Sequence, residues 1–204
     1  MVGRKSMKKI IILLLIAGAA WKFYNYTGSV SLGPGVMAGE VPQQERLSSP
    51  ISHILDDYII NEISTFNIKA KVLAKKNYHT GRESDLSPTD LALGWGNMSD
   101  ESILEQIEIS QSGRFYYWNV ESFPIPRKEI ETHSANMHLI PADKSVEREI
   151  GKIRNGDIIE ISGSLVNVTA QDDNWRWKSS QTRNDTGMGA CELILVKSLY
   201  IVTR

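Results

Sequence analysis

Apolar and polar positions along this chain follow two different periods, and its first two dozen residues follow neither. Ile10 to Trp21 reads IIILLLIAGAAW, twelve residues without a charge. Asn67 to Asn77 alternates, with Ile68, Ala70, Val72 and Ala74 on one side and Lys69, Lys71 and Lys75 on the other, which predicts a half-buried strand. Leu86 to Gly96 (LSPTDLALGWG) predicts a short helix, with Ser87 as cap, Pro88 in its first position and Gly94 and Gly96 ending it. Ser99 opens a second helix reaching about Ile107, with acids in its first turn. Arg114 to Val120 is aromatic and predicts a strand. Ser145 to Ile153 puts Val146, Ile150 and Ile153 on one side of a short amphipathic helix. The long run IIEISGSLVNVTA predicts a strand bent or bulged at Gly163. Trp175–Lys178 and CELILVKSLYIVTR predict two more.

Backbone amides in hydrocarbon must be satisfied within their own segment, so the run from Ile10 would enter lipid as a helix. Twelve residues cover about 18 Å of a roughly 30 Å hydrocarbon core. Extension to Tyr26 adds Trp21, Phe23, Tyr24 and Tyr26 as an interfacial belt, with Lys22 able to snorkel. Arg4, Lys5, Lys8 and Lys9 precede the run, and this excess of positive charge places the N-terminus in the cytoplasm. A cleaved signal peptide would use Ala17-Gly18-Ala19; an uncleaved anchor keeps the aromatic belt, and the anchor is the expectation. Residues 28–50 are rich in Gly, Pro, Ser and Gln without an apolar period, which reads as a flexible linker. The expected organisation is a signal anchor or transmembrane segment over 1–27, this linker over 28–50, and an exported domain over 51–204. Membrane contact falls on residues 8–26, and the domain is expected in the periplasm, tethered to the inner membrane by a single pass.

The order of elements, with a helix before the last strands and a glycine inside a long one, resembles a small OB-like Greek-key barrel with helical insertions. Gly156-Asp-Ile-Ile-Glu-Ile-Ser-Gly163 is similar to the fourth strand of bacterial OB-like domains. The expected fold class is therefore mainly β (α+β), plus one N-terminal transmembrane helix. The phrases LSPTDLALGWGNMSD, SGRFYYW, HSANMHLIPAD and SSQTRNDTGMGACEL resemble a family of uncharacterised bacterial membrane-anchored proteins. That resemblance implies location and a single domain, and it carries over no catalytic residue.

Charge narrows the functional classes. The chain is 204 residues with a formal charge of −1, but residues 51–204 hold 17 Lys/Arg against 22 Asp/Glu. An acidic domain is repelled by phosphate backbones, so nucleic-acid binding starts at a disadvantage. A single cysteine, Cys191, forms no internal disulfide, and burial as a small hydrophobe is its plain reading.

Candidate chemistry lies in three polar stretches, around Arg82, around His133–His138 and around Arg183–Glu192. His133, His138, Asp185 and Cys191 contain the residue types of a cysteine nucleophile site, which needs a thiolate made by a neighbouring imidazole or helix terminus. His133 and His138 stand five apart, which suits neither one helical face nor one strand face, though a loop could bring them together and Asp185, Asp143 or Cys191 could complete a metal site; neither a metal nor a cofactor is expected. Arg82, Asn136, Trp175, Trp177 and Arg183 are the candidate ligand-binding residues, the tryptophans and cations being able to hold single strands or sugars. The leading expectation is a tethered domain that binds a protein partner or small ligand as an accessory component. The alternatives are a cell-envelope hydrolase or transferase, and OB-type binding of single-stranded nucleic acid or oligosaccharide.

Overall fold

The alternation seen from Asn67 begins nine residues earlier, and the resulting strand organises the molecule. The computed structural model describes residues 4–183 and 190–202. Its strands are β1 (Gln43–Leu55), β2 (Tyr58–Asn77), β3 (Thr89–Gly94), β4 (Glu108–Ser112), β5 (Phe115–Asn119), β6 (Ser134–Pro141), β7 (Ile158–Ala170), β8 (Arg176–Lys178) and β9 (Glu192–Ile201). Its helices are α1 (Arg4–Thr27), α2 (Arg82–Leu86), α3 (Glu101–Leu104), α4 (Arg127–Thr132) and α5 (Lys144–Lys152). Seven strands form one sheet in the order β1-β2-β3-β6-β9-β7-β8, and β2 pairs with β7 as well. Only β6 and β9 run parallel; β4 and β5 form a separate hairpin.

The expected fold, an OB-like Greek-key barrel plus a transmembrane helix, is corrected to a mainly β fold with a mixed sheet and short helices. Strands β1 and β8 stand outside β2 and β7, and the β2–β7 ladder links β2, β3, β6, β9 and β7 in a ring of pairings. Strand β1 comes largely from residues expected to be linker.

Period two decides what the sheet encloses. Phe66, Ile68, Ala70 and Val72 of β2, Leu91 and Leu93 of β3, Met137 and Leu139 of β6, Ile159, Ile161 and Leu165 of β7, and Ile194 and Val196 of β9 meet in one buried cluster. Helix α5 covers it with Val146 and Ile150. Asp143 caps that helix, accepting from the Ser145 and Val146 amides at 2.7 and 2.9 Å. Lys75 Nζ donates to the carbonyls of Ile150, Gly151 and Ile153 at its other end. The register shift between Ser162 and Gly163 in β7 matches the expected bulge.

LSPTDLALG forms no capped helix. Thr89–Gly94 is a strand buried at all six positions and paired on both edges, so ladder pairing and burial outweigh the Ser87-Pro88 signal. Residues 28–50 are no free tether either. The Glu101 carboxylate accepts from the amides of Leu32 and Gly33 and from the Ser31 hydroxyl at 2.7–2.8 Å, while Asp100 accepts from the Gly35 amide at 2.9 Å. Composition suggests a linker; acceptors on α3, remote in sequence, tie it down.

Helix α1 runs 24 residues, yet among the described residues no helix is long and apolar enough to cross a membrane. The uncharged run is twelve residues, and Arg4, Lys5, Lys8 and Lys9 stand on the same helix. This overturns the transmembrane segment, the signal anchor and the single-pass inner-membrane placement with a periplasmic domain. Ile10–Ile16 and Trp21 are exposed.

Two predictions follow from this packing. A Cβ on Gly163 would lie 2.1 Å from the Leu195 carbonyl oxygen, whereas one on Gly151 would meet nothing within 4 Å. Gly163→Ala should lower stability by about 1–3 kcal/mol, and Gly151→Ala should leave it level or raise it by up to ~1 kcal/mol, read by urea melts. Burial raises the Glu101 carboxyl, but the Lys71 ammonium, the Leu32 and Gly33 amides and the Ser31 hydroxyl reverse this and hold it at about 2. A carboxyl depressed below its usual 4.5 adds stability above that pH and loses it as pH falls toward 2. Stability should therefore fall more steeply from pH 4.5 to 2 in the native chain than in Glu101→Gln.

Candidate functional site

Strands β3 and β6 send Leu91, Leu93, Met137 and Leu139 inward, so period two turns the intervening residues to the opposite face. There Asp90 stands opposite His138, Ala92 opposite Asn136 and Gly94 opposite Ser134. Asp90, Ser134, Asn136 and His138 are nonetheless buried, because the β4–β5 hairpin and Trp177 lie over them. A buried polar face must find partners, and here the hairpin supplies most of them.

Gly113 and Arg114 both adopt positive φ, at 58° and 70°, making the two-residue turn of this hairpin. Arg114 is held there on several sides. Its guanidinium donates to Asp90 Oδ1 and to the Ser87 carbonyl, both at 2.8 Å, and lies 3.9 Å from the Tyr78 ring centroid. Its amide donates to the Tyr78 hydroxyl at 3.1 Å, and its carbonyl accepts from Asn136 Nδ2 at 3.0 Å. Gln111 Nε2 donates to Asn136 Oδ1 at 2.8 Å. His138 Nδ1 is 2.9 Å from Asp90 Oδ1, within ion-pair range but out of line for a hydrogen bond, and its ring packs 4.8 Å from that of Trp177.

Beside this layer opens a cavity of about 280 Å³. Phe115–Trp118 of β5 form one wall; Glu131 of α4 and Ser134–Asn136 of β6 form another; Thr182, Arg183 and Ala190–Glu192 complete it. The Tyr116 and Ser134 hydroxyls are 2.5 Å apart, and Ser134 donates to the Ile130 carbonyl. Burial pushes the Tyr116 phenol up to about 12, with Glu131, Cys191 and Glu192 adding to the rise against the Ser134 bond. Cys191 is partly exposed, its Sγ 3.8 Å from both Asn136 Nδ2 and the Arg114 carbonyl. Arg183 donates to the buried Glu192 carboxylate and, at 2.9 Å, to Gln44 Oε1.

The candidate residues therefore divide among three places. Asn136, Arg183 and Cys191 meet at the cavity. His138 lies in the buried polar layer and does not line it. His133 follows α4, its ring 6.3 Å from Trp95 and its Nδ1 3.2 Å from the Glu129 carbonyl. Arg82 lies 5.4 Å from the Trp175 ring and is anchored by Asp173 at 2.6 Å. Trp175 and Trp177 pack at 6.2 Å against each other and, partly buried, onto a second core cluster. Asp185 lies outside the described residues. No group of three His, Cys, Asp or Glu suited to a metal occurs among the described residues.

Residue spacing alone overlooks Asp90, Arg114, Tyr116, Glu131, Ser134 and Glu192. A signal was present for Ser134: with the candidates Asn136 and His138 it alternates with Ala135, Met137 and Leu139, which marks a strand with one polar face rather than a loop. No family model, curated protein or solved structure matches this chain. The site's own chemistry must carry its interpretation.

The Asp90–Arg114 pair yields a test. Asp90 is fully buried, and removing a partner from a buried ion pair strands its charge. Arg114→Ala should cost about 3–5 kcal/mol of unfolding free energy in urea at pH 7. Adding Asp90→Ala should recover much of that loss. A cost below ~1 kcal/mol would mean that Arg114 does not hold the buried carboxylate.

Proposed function

We propose that this chain is a small-ligand-binding β domain whose site is the cavity between the β4–β5 hairpin and strands β6 and β9. One observation carries the reading: a concavity with the aromatic run Phe115–Trp118 along one wall, into which Ser134 and Asn136 of β6 and Cys191, just before β9, bring polar groups beside the charged Glu131, Arg183 and Glu192. Apolar walls with a small number of placed polar groups are how proteins hold and orient small molecules. The volume lies near the lower end of the usual ligand-pocket range of about 300–1,000 Å³, so the guest is smaller than a typical drug molecule.

Cysteine catalysis fits this geometry less well. A thiol nucleophile wants an imidazole within hydrogen-bond reach, and neither His133 nor His138 is among the lining residues. Cys191 instead has the Arg114 carbonyl and the Asn136 amide as neighbours, which suits a packing and hydrogen-bonding role.

Cys191 is the chain's single thiol, so it can be altered without ambiguity. In a ligand-observed NMR screen of small aromatic fragments, Cys191→Ser should keep each affinity within about twofold. Cys191→Trp should fill the cavity and abolish binding while the fold is retained by circular dichroism. Hits that survive Cys191→Trp would move the site elsewhere. Loss of every hit in Cys191→Ser at an unchanged melting temperature would favour chemistry at the thiol.

A further inference from the structure

The walls of the cavity carry opposite kinds of charge, and the two kinds differ in how far they are already engaged. Glu131 enters from α4 and Glu192 from the start of β9, against one lining cation among the described residues, Arg183. That guanidinium is committed: it donates to Glu192, to Gln44 Oε1 and to the Thr182 carbonyl, and lies 5.3 Å from the Phe66 ring centroid. Glu131 accepts from Arg127 Nε at 2.8 Å, but Arg127 is 69% exposed and not among the lining residues, so this is a surface pair of small net worth. An anion entering here would meet two carboxylates and an arginine already in use.

Resting on the reading of this cavity as a ligand site, we propose that its guest is a small organic cation, an alkylated ammonium held between the aromatic wall of β5 and the Glu131 carboxylate. Two independent features of the lining select that class. Alternation along β5 turns Tyr116 and Trp118 to one face, the one on which Tyr116 meets Ser134, and a ring there offers a π face and CH surface to a diffuse cation, worth about 0.5–2 kcal/mol where water is excluded. Glu131 adds a negative charge on the opposite wall. A bulky ammonium sheds water more readily than a compact one and fills a cavity of about 280 Å³ without a deep polar socket. Ser134 and Asn136 stand beside it to bond a hydroxyl or carbonyl on the same molecule.

Choline and its uncharged isostere 3,3-dimethyl-1-butanol separate charge from shape. Titrated into the full chain at constant ionic strength and followed by calorimetry, choline should bind at least about tenfold more tightly than the alcohol. Glu131→Gln should bring the two near parity at an unchanged melting temperature, and Glu131→Asp should retain most of the preference. Equal binding of both probes to the native chain would overturn the cation assignment and leave the cavity as a site for neutral guests. A choline preference that survives Glu131→Gln would also overturn it, by placing the cation elsewhere. Failure of choline, the alcohol and the aromatic fragments alike would remove the ligand site itself.

Discussion

Strand β2 is shared by three ladders, and the rest of the architecture depends on that sharing. Its twenty residues pair with β1 from Tyr58 to Asn67, with β7 from Tyr58 to Lys71, and with β3 from Lys71 to Asn77. A long strand serves three partners by pairing β7 on one edge and β1 then β3 in succession on the other, and its register shifts against β7 between Glu62 and Ser64 and against β3 between Val72 and Ala74. The β2–β7 pairing brings both halves of the sheet around one apolar cluster. Gly163 of β7 sits where a side chain would strike the backbone of β9, so the close approach of these strands requires glycine.

Once that inner face is filled, the outer face of β3 and β6 is settled by parity. It is polar, it is buried, and it carries a carboxylate with no exposure to solvent. Such a face is costly unless its groups are paired. The β4–β5 hairpin docks through hydrogen bonds and ions, Arg114 to Asp90, Gln111 to Asn136 and Tyr116 to Ser134, and through Ile109 and Trp118, which pack against a third apolar cluster. Directional contacts of this kind fix where the hairpin sits more narrowly than apolar burial would. The cavity is the space left where the hairpin, α4 and the start of β9 do not meet, and it inherits aromatic side chains from one and carboxylates from the other two.

Much of the framework could be read locally. The strand at Asn67–Asn77, the aromatic strand after Arg114, the helix before Ile153, the bulge at Gly163 and the closing strand all follow from periodicity and from glycine. The errors share a cause. Thr89–Gly94 follows the helix-capping pair Ser87-Pro88 but is a strand paired on both edges; residues 29–38 look like linker but are bound by Asp100, Glu101 and Ser99. In each case a partner distant in sequence overrides a local preference. The apolar run of α1 illustrates the reverse, a local signal read beyond its length.

Of the site, Asn136, Arg183 and Cys191 were visible as polar residues that packing did not demand, whereas their separation from His133 and His138 was not. Composition and periodicity determined by themselves that this chain would be mainly β, and which residues of most strands would share a face, because side-chain alternation is a property of a single strand. Which strands are neighbours, which polar face is covered, and where Glu131 and Glu192 come together were decided only in the tertiary structure. Those outcomes depend on hydrogen bonds and burial between segments as far apart as Gln44 and Arg183, and no local pattern encodes such distances.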